Sequence, residues 1–74
     1  MPDSLSPVPS EQDLREMFHR LNNQLGIILA HAELLEAKAG DDASRAHAAQ
    51  VVRSTLDAMS TAKELRRRSE LAGV

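Results

Sequence analysis

The stretch that decides the fold is residues 14–39, LREMFHRLNNQLGIILAHAELLEAKA. Apolar residues recur in it as two interleaved rows, each with a spacing of seven residues. The first row is Leu14, Leu21, Ile28 and Leu35, and the second row is Phe18, Leu25, Ala32 and Ala39. Such a repeat is typical of a helix that packs lengthwise against other helices. It predicts an all-α fold.

The residues around this stretch predict two helices and a short turn. Ser10 is a candidate N-cap for a first helix over residues 11–39. Gly40 is the expected C-terminal stop, and the acidic pair beginning at Asp41 supplies the turn and the N-cap of a second helix over residues 43–71. So short a connection makes the second helix fold back antiparallel to the first.

Apolar surface exceeds what one hairpin covers. The predicted packing face of the second helix is Ala48, Val51, Val52, Thr55, Ala58, Met59, Ala62 and Leu65, with Leu56 alongside. The apolar face of the first helix is widened by Met17, Ile27, Leu29 and Leu34. A second copy of the chain covers the surplus most simply. The predicted assembly is therefore a homodimeric four-helix bundle of antiparallel two-helix hairpins.

Composition limits the class of protein. The 74 residues allow one small domain, predicted over residues 10–72, behind a disordered arm at residues 1–9 that contains three prolines. The arm does not resemble a signal peptide, and no stretch approaches the roughly 20 apolar residues of a membrane span. The net charge of -2 argues against nucleic acid as a partner, and the absence of cysteine fits the cytoplasm.

His19 and Asn23 lie at heptad positions b and f, one helical turn apart and away from the apolar rows. A single exposed histidine is usually just a solvated side chain, so a functional hypothesis depends on its neighbours. Here the neighbours are an aromatic residue, a pair of asparagines and a long apolar run. They place a histidine and a carboxamide where an external partner can meet them.

The sequence FHRLNNQLGIILAHAELL, residues 18–35, resembles the H-box of the dimerisation and histidine-phosphotransfer (DHp, HisKA-like) domain of two-component sensor histidine kinases. In that family the histidine accepts a phosphoryl group from ATP and passes it to an aspartate on a response regulator. The resemblance implies that His19 is the phosphoacceptor and that Asn23 orients the histidine or a water. It departs at Arg20, where the family has an acidic residue thought to act as base during autophosphorylation.

Three further hypotheses concern the neighbours of His19. Glu16 stands four residues before Arg20, a favourable spacing for an ion pair, and three residues before His19, where it is a candidate partner for one imidazole nitrogen. Arg20, Gly26 and Ala30 are the predicted binding surface. The two small residues form a track along which the helix of a partner can lie close.

The remaining polar features predict no chemistry of their own. His31 and His47 are interpreted as bystanders, because together with His19 they lack the spacing of a metal site. The run of arginines at 66–68 is interpreted as complementing the negative end of the helix dipole, with docking of an acidic regulator as the alternative. No glycine-rich phosphate loop is present, so ATP and Mg²⁺ are expected only on partner proteins.

The leading hypothesis is a dimeric phosphorelay intermediate that exchanges phosphoryl groups with a receiver domain and depends on a separate kinase or ATPase domain. It is not expected to be an autonomous kinase. A second hypothesis is a non-catalytic module of the same fold that dimerises or sequesters a regulator, which Arg20 favours. A third is a fragment of a longer sensor histidine kinase.

Overall fold

A computed structural model describes residues 10–71, which form two helices packed along each other as a hairpin. Helix α1 spans Glu11–Lys38 and helix α2 spans Asp42–Leu71, and this range contains no strand. The all-helical hairpin is thus confirmed. Relative to the predicted bounds, α1 ends one residue earlier and α2 begins one residue earlier. The predicted arm at residues 1–9 and residue 72 lie outside the described residues.

Both helices begin at a side-chain oxygen that accepts hydrogen bonds from the first turn. Ser10 has extended backbone, with φ -66° and ψ 164°, and its Oγ accepts from the backbone N–H of Asp13 at 3.0 Å. Asp41 accepts twice from Ser44, from the backbone N–H at 2.7 Å and from the hydroxyl at 3.0 Å. These bonds satisfy N–H groups that have no partner inside the helix. They are why the two helices begin where they do.

The turn between the helices closes differently from the expected glycine cap. Ala39 is the C-cap, with extended backbone at φ -62° and ψ 132°, and Gly40 does not adopt the left-handed conformation of a usual glycine cap. Arg45 closes the turn instead. Its Nη2 donates to the carbonyl oxygen of Ala39 at 3.1 Å, and its Nη1 lies 3.3 Å from the carboxylate of Asp42. A side chain of α2 therefore caps the end of α1.

The interface between the helices is built around small side chains. Ala32 is 2% exposed, Ala48 is 8% exposed and Thr55 is 6% exposed. The buried hydroxyl of Thr55 donates to the carbonyl oxygen of Val51 at 2.7 Å, which satisfies it within its own helix. Larger apolar side chains are only half-buried around this centre, among them Leu14, Phe18, Leu25, Leu29, Val52 and Met59. The core of one hairpin is therefore thin.

One of the two apolar rows of α1 lies mostly outside this interface. The second row, from Phe18 to Ala39, faces α2, whereas only Leu14 of the first row is half-buried. Two residues predicted on the packing face of α2 are exposed as well. The exposed side chains are Leu21, Ile28 and Leu35 of α1 and Val51 and Leu65 of α2. A single neighbouring helix covers one flank of a helix, so the other row stays open.

These five exposed side chains lie on one side of the hairpin, named here the apolar side. Successive helical residues turn by about 100°, which places Leu21, Ile28 and Leu35 about 70° from the centre of the buried face of α1. Val51 and Leu65 stand at a similar angle on α2. Because α2 runs antiparallel to α1, both sets project to the same side of the hairpin. Within residues 10–71, neither helix combines the length and apolar character that a membrane span requires.

Candidate functional site

His19 projects from the opposite side of the hairpin to the apolar side. The side chains of His19 and Asn23 are both exposed, one turn apart on α1. A shallow groove, here called the outer groove, is lined by Arg15, Glu16, His19, Arg20 and Asn23. Three of the other predicted site residues, Glu16, Arg20 and Asn23, thus line the groove together with the imidazole of His19.

Gly26 and Ala30 continue along α1 beyond this groove. Neither lines it, but their spacing places them on the same flank as His19. A β-carbon built on Gly26 has no atom within 4 Å, so the backbone there borders open space. The predicted small-residue track is therefore accessible, and its role in docking stays a prediction.

Glu16 does not form the ion pair predicted from its spacing to Arg20. Among residues 10–71, every ion pair lies within α2, and none involves either side chain. Helical spacing permits such a pair but does not enforce it, because exposed pairs gain little from contact. Glu16 likewise makes no hydrogen bond to His19 within this range, although both line the outer groove. The imidazole is left open to solvent.

A second depression reaches His19 from the side of α2. This inner cleft, with a volume of about 70 Å³, is lined by Phe18, His19 and Asn22 of α1 and by Ala62, Lys63 and Arg66 of α2. The antiparallel packing brings the last three turns of α2 against the first turns of α1, so residues that are distant in the sequence meet. Sequence patterns gave no role to Lys63. The register of the predicted hairpin could have placed Lys63 near His19, because it pairs residues near 19 with residues near 62.

The three consecutive arginines of α2 differ in their surroundings. Arg67 and Arg68 both bind the carboxylate of Glu64, with closest N–O distances of 2.6 and 2.9 Å. These two guanidinium groups hold the pKa of Glu64 below its ordinary value, the contact with Arg67 having the larger effect. Arg66 instead lies 3.3 Å from Glu70. The run therefore forms local ion pairs, and its predicted interaction with the helix dipole stays a prediction.

The two other histidines are apart from this site. His31 and His47 are both exposed, and their role as bystanders stays a prediction. Across the described range, no three histidine or acidic side chains are grouped so as to hold a metal ion. The polar side chains that line the two depressions are therefore one imidazole, two asparagine amides, four cations and the carboxylate of Glu16.

The chain matches no protein-family model, and no curated protein and no solved structure is significantly similar to it. A hypothesis of function therefore depends on the sequence around His19 and on the geometry of that region.

Proposed function

We propose that this protein is a histidine-phosphotransfer and dimerisation module of a two-component phosphorelay, with His19 as the phosphoacceptor. The observation that supports this most is the position of His19. Its imidazole is exposed on a rigid helix, beside Asn23, and no hydrogen bond within residues 10–71 occupies it. The module acts in the cytoplasm, and its partner is the receiver domain of a response regulator.

The reaction requires an unhindered nitrogen and a partner that holds the phosphoryl group in line. The lone pair of the unprotonated ring nitrogen forms the N–P bond, while the P–O bond to the receiver's aspartate breaks and its electron pair leaves on the carboxylate. The proton on the other ring nitrogen stays in place. Asn23 is positioned to orient the imidazole or a water, and the receiver supplies the metal ion that stabilises the charge in transfer.

Dimerisation completes the proposed module. The apolar side of one hairpin is self-complementary if two copies pack about a two-fold axis, which yields a four-helix bundle. Ten large apolar side chains of the described range are exposed, too many for a stable monomer with so thin a core. Because His19 projects from the opposite side of the hairpin, both phosphoacceptors remain accessible in the dimer.

The test is phosphoryl transfer to His19. With ATP and Mg²⁺ alone we expect no label, since no nucleotide-binding motif is present in the sequence. With a phosphorylated receiver, or with a kinase that supplies an ATP-binding domain, we expect an acid-labile and base-stable phosphoimidazole. The label should disappear in His19→Ala and persist in His31→Ala, a matched control because His31 is an exposed histidine of the same helix. Circular dichroism should show equal helicity in both variants.

One residue supports a second function. Arg20 replaces the acidic neighbour found in the resembling family, which favours a module that binds and sequesters a regulator without accepting phosphate. Stable binding of receivers that never label His19, across a panel of receivers and kinase domains from the same source, would establish that alternative in place of phosphotransfer.

A further inference from the structure

The charge of this chain is distributed unevenly, with cations concentrated around His19. The whole sequence has a net charge of -2, yet the outer groove and the inner cleft together contain four cationic side chains and a single carboxylate, Glu16. The four cations are Arg15, Arg20, Lys63 and Arg66. A local cluster of one sign attracts ligands of the opposite sign and raises their local concentration.

The inner cleft has the simplest composition. Its lining contains the imidazole of His19, the amide of Asn22 and two cations, and no acidic residue. Lys63 makes no ion pair within the described residues. Arg66 contacts Glu70 at 3.3 Å, but both side chains are about half exposed, and pairs of that kind are weak and readily exchanged.

The neighbouring arginines are different in this respect. Arg67 and Arg68 share the carboxylate of Glu64 at 2.6 and 2.9 Å and do not line the cleft. Of the three consecutive arginines, only Arg66 lines the cleft beside His19. Of the two cations that line the cleft, Lys63 is thus the one that makes no ion pair within the described residues.

We propose that Lys63 and Arg66 are phosphoryl-binding residues, which contact the oxygens of a phosphoryl group carried by His19. The proposal rests on His19 being a phosphoacceptor and adds the residues that hold its charged product. An N-bound phosphoryl group has a double negative charge at most, and charge-assisted hydrogen bonds from ammonium and guanidinium groups stabilise such oxygens. The contacts form across the hairpin, so α2 contributes directly to the chemistry of a residue on α1.

Potassium phosphoramidate is a suitable probe, because this small donor phosphorylates histidine without any partner protein. The rate of phosphoryl uptake and the lifetime of the phosphoimidazole are measured by ³¹P NMR. We expect the double substitution of Lys63→Gln with Arg66→Gln to slow phosphoryl uptake and to shorten the lifetime of the phosphoimidazole. The two substitutions together should change each quantity by roughly fivefold, which is the scale of two partly exposed ionic contacts. Lys63→Arg and Arg66→Lys keep the positive charge, so they should retain most of the wild-type uptake rate and lifetime.

Arg53→Gln is the matched control. It removes one positive charge from the same helix, and its side chain bonds Gln50 at 2.9 Å, outside both depressions. The difference between wild type and the double variant should also shrink at about 1 M salt, where the screening length falls to about 3 Å. Helicity, measured by circular dichroism, should be equal in all variants, which excludes a merely structural effect.

Three results would overturn the proposal: equal uptake and lifetime in wild type and double variant, an equal loss in Arg53→Gln, or no phosphorylation of wild-type His19 by phosphoramidate. Failure of the phosphorelay is seen separately. Phosphoramidate could label His19 at a rate that depends on Lys63 and Arg66 while no receiver exchanges a phosphoryl group with it. That result would support the phosphoryl-binding role of the two cations and contradict the proposed signalling function.

Discussion

Arg20 is the residue expected to affect the proposed phosphorylation of His19 most directly. Its side chain lines the outer groove beside the imidazole. The spacing to Glu16 predicted an ion pair between the two residues, but Arg20 does not form it. A cation at this position cannot accept a proton from the imidazole, although it can attract an anionic donor. If His19 is the phosphoacceptor, we expect Arg20 to affect labelling by a kinase and exchange with a receiver differently.

Arg20→Glu should expose that asymmetry. We expect the substitution to increase labelling that depends on a kinase and ATP, because the carboxylate can serve as the missing base. Exchange with a phosphorylated receiver should change by less than about twofold, since the receiver's own acidic residues and metal ion supply the chemistry. Rates of both reactions, measured on the same preparation with Arg15→Glu as a charge-matched control, provide the check. Equal effects on both routes would contradict this explanation.

Gly26 offers a separate test at the scale of one residue. Gly26→Ala should stabilise the helix by about 0.5–1 kcal/mol, because a β-carbon there meets no atom within 4 Å and alanine loses less backbone entropy. Chemical denaturation monitored by circular dichroism measures this. Gly26→Leu should also fold, yet it should weaken receiver binding if the small-residue track beside Ala30 is a docking surface. Undiminished affinity in Gly26→Leu would remove the track from the interface.

At the scale of the helix, the N-terminal ends of α1 and α2 were predictable because a local side chain determines each of them. Ser10 and Asp41 stand where sequence alone places an N-cap, and each accepts a hydrogen bond from the first turn that follows it. The end of α1 was less predictable. Its last carbonyls are capped by Arg45, six residues beyond Ala39, and such a contact follows from the folded turn and not from a local pattern.

The sequence also did not predict which of the two apolar rows of α1 packs against α2. Leu21 and Leu25 belong to rows of the same spacing, but only Leu25 turns toward α2. A repeat of seven indicates that both rows are to be covered, and it does not say which is covered by the second helix and which by another chain. Lys63 was missed for a similar reason, since its proximity to His19 depends on the register of the hairpin.

Ser10→Ala tests the cap of α1. We expect a loss of about 1 kcal/mol, because the N–H of Asp13 loses the acceptor that lies 3.0 Å away. Ser54→Ala is the control, since Ser54 is exposed in the interior of α2 and alanine is the better helix former. Urea unfolding curves of both variants provide the comparison. A smaller loss in Ser10→Ala than in Ser54→Ala would contradict the capping role.

The second cap makes stability depend on pH. Hydrogen bonds from Ser44 lower the pKa of Asp41, the bond from its backbone N–H having a larger effect than the bond from its hydroxyl. Arg67 and Arg68 lower the pKa of Glu64 in the same direction. A carboxyl group with a depressed folded-state pKa contributes stability above its unfolded-state pKa, and that contribution is lost as the pH falls through the folded-state value. The melting temperature should therefore be level near neutral pH and fall below about pH 4.

Asp41→Asn separates capping from titration, because asparagine caps a helix about as well as aspartate but has no charge to lose. Melting curves from pH 7 to pH 2.5 should show a shallower acid decline in Asp41→Asn than in wild type. Asp57→Asn should decline like wild type, since Asp57 makes no side-chain hydrogen bond within the described residues. Parallel curves for wild type and Asp41→Asn would contradict the assignment.

At the scale of the whole molecule, the hairpin has two sides with different surfaces. The apolar side presents Leu21, Ile28 and Val51, whereas the opposite side presents His19 and the cations around it. A two-fold dimer formed through the apolar side buries the first surface and leaves the second free in both copies. In the dimer that we propose, the larger side chains would be buried between hairpins, and the thin core between α1 and α2 would then be sufficient.

Ile28→Glu tests this arrangement, with Leu34→Glu as its control. Both residues are about half exposed in one hairpin, at 47% and 52%, but only Ile28 belongs to the apolar side. In the dimer that we propose, Ile28→Glu would bury a charge from each copy in the interface, so we expect the dissociation constant to rise roughly 100-fold or more. Leu34→Glu should leave it nearly unchanged. Sedimentation at micromolar concentration measures association, and circular dichroism follows the helicity that depends on it. A wild-type chain that sediments as a fully helical monomer would refute the bundle, and equal dissociation by both variants would place its interface on another surface.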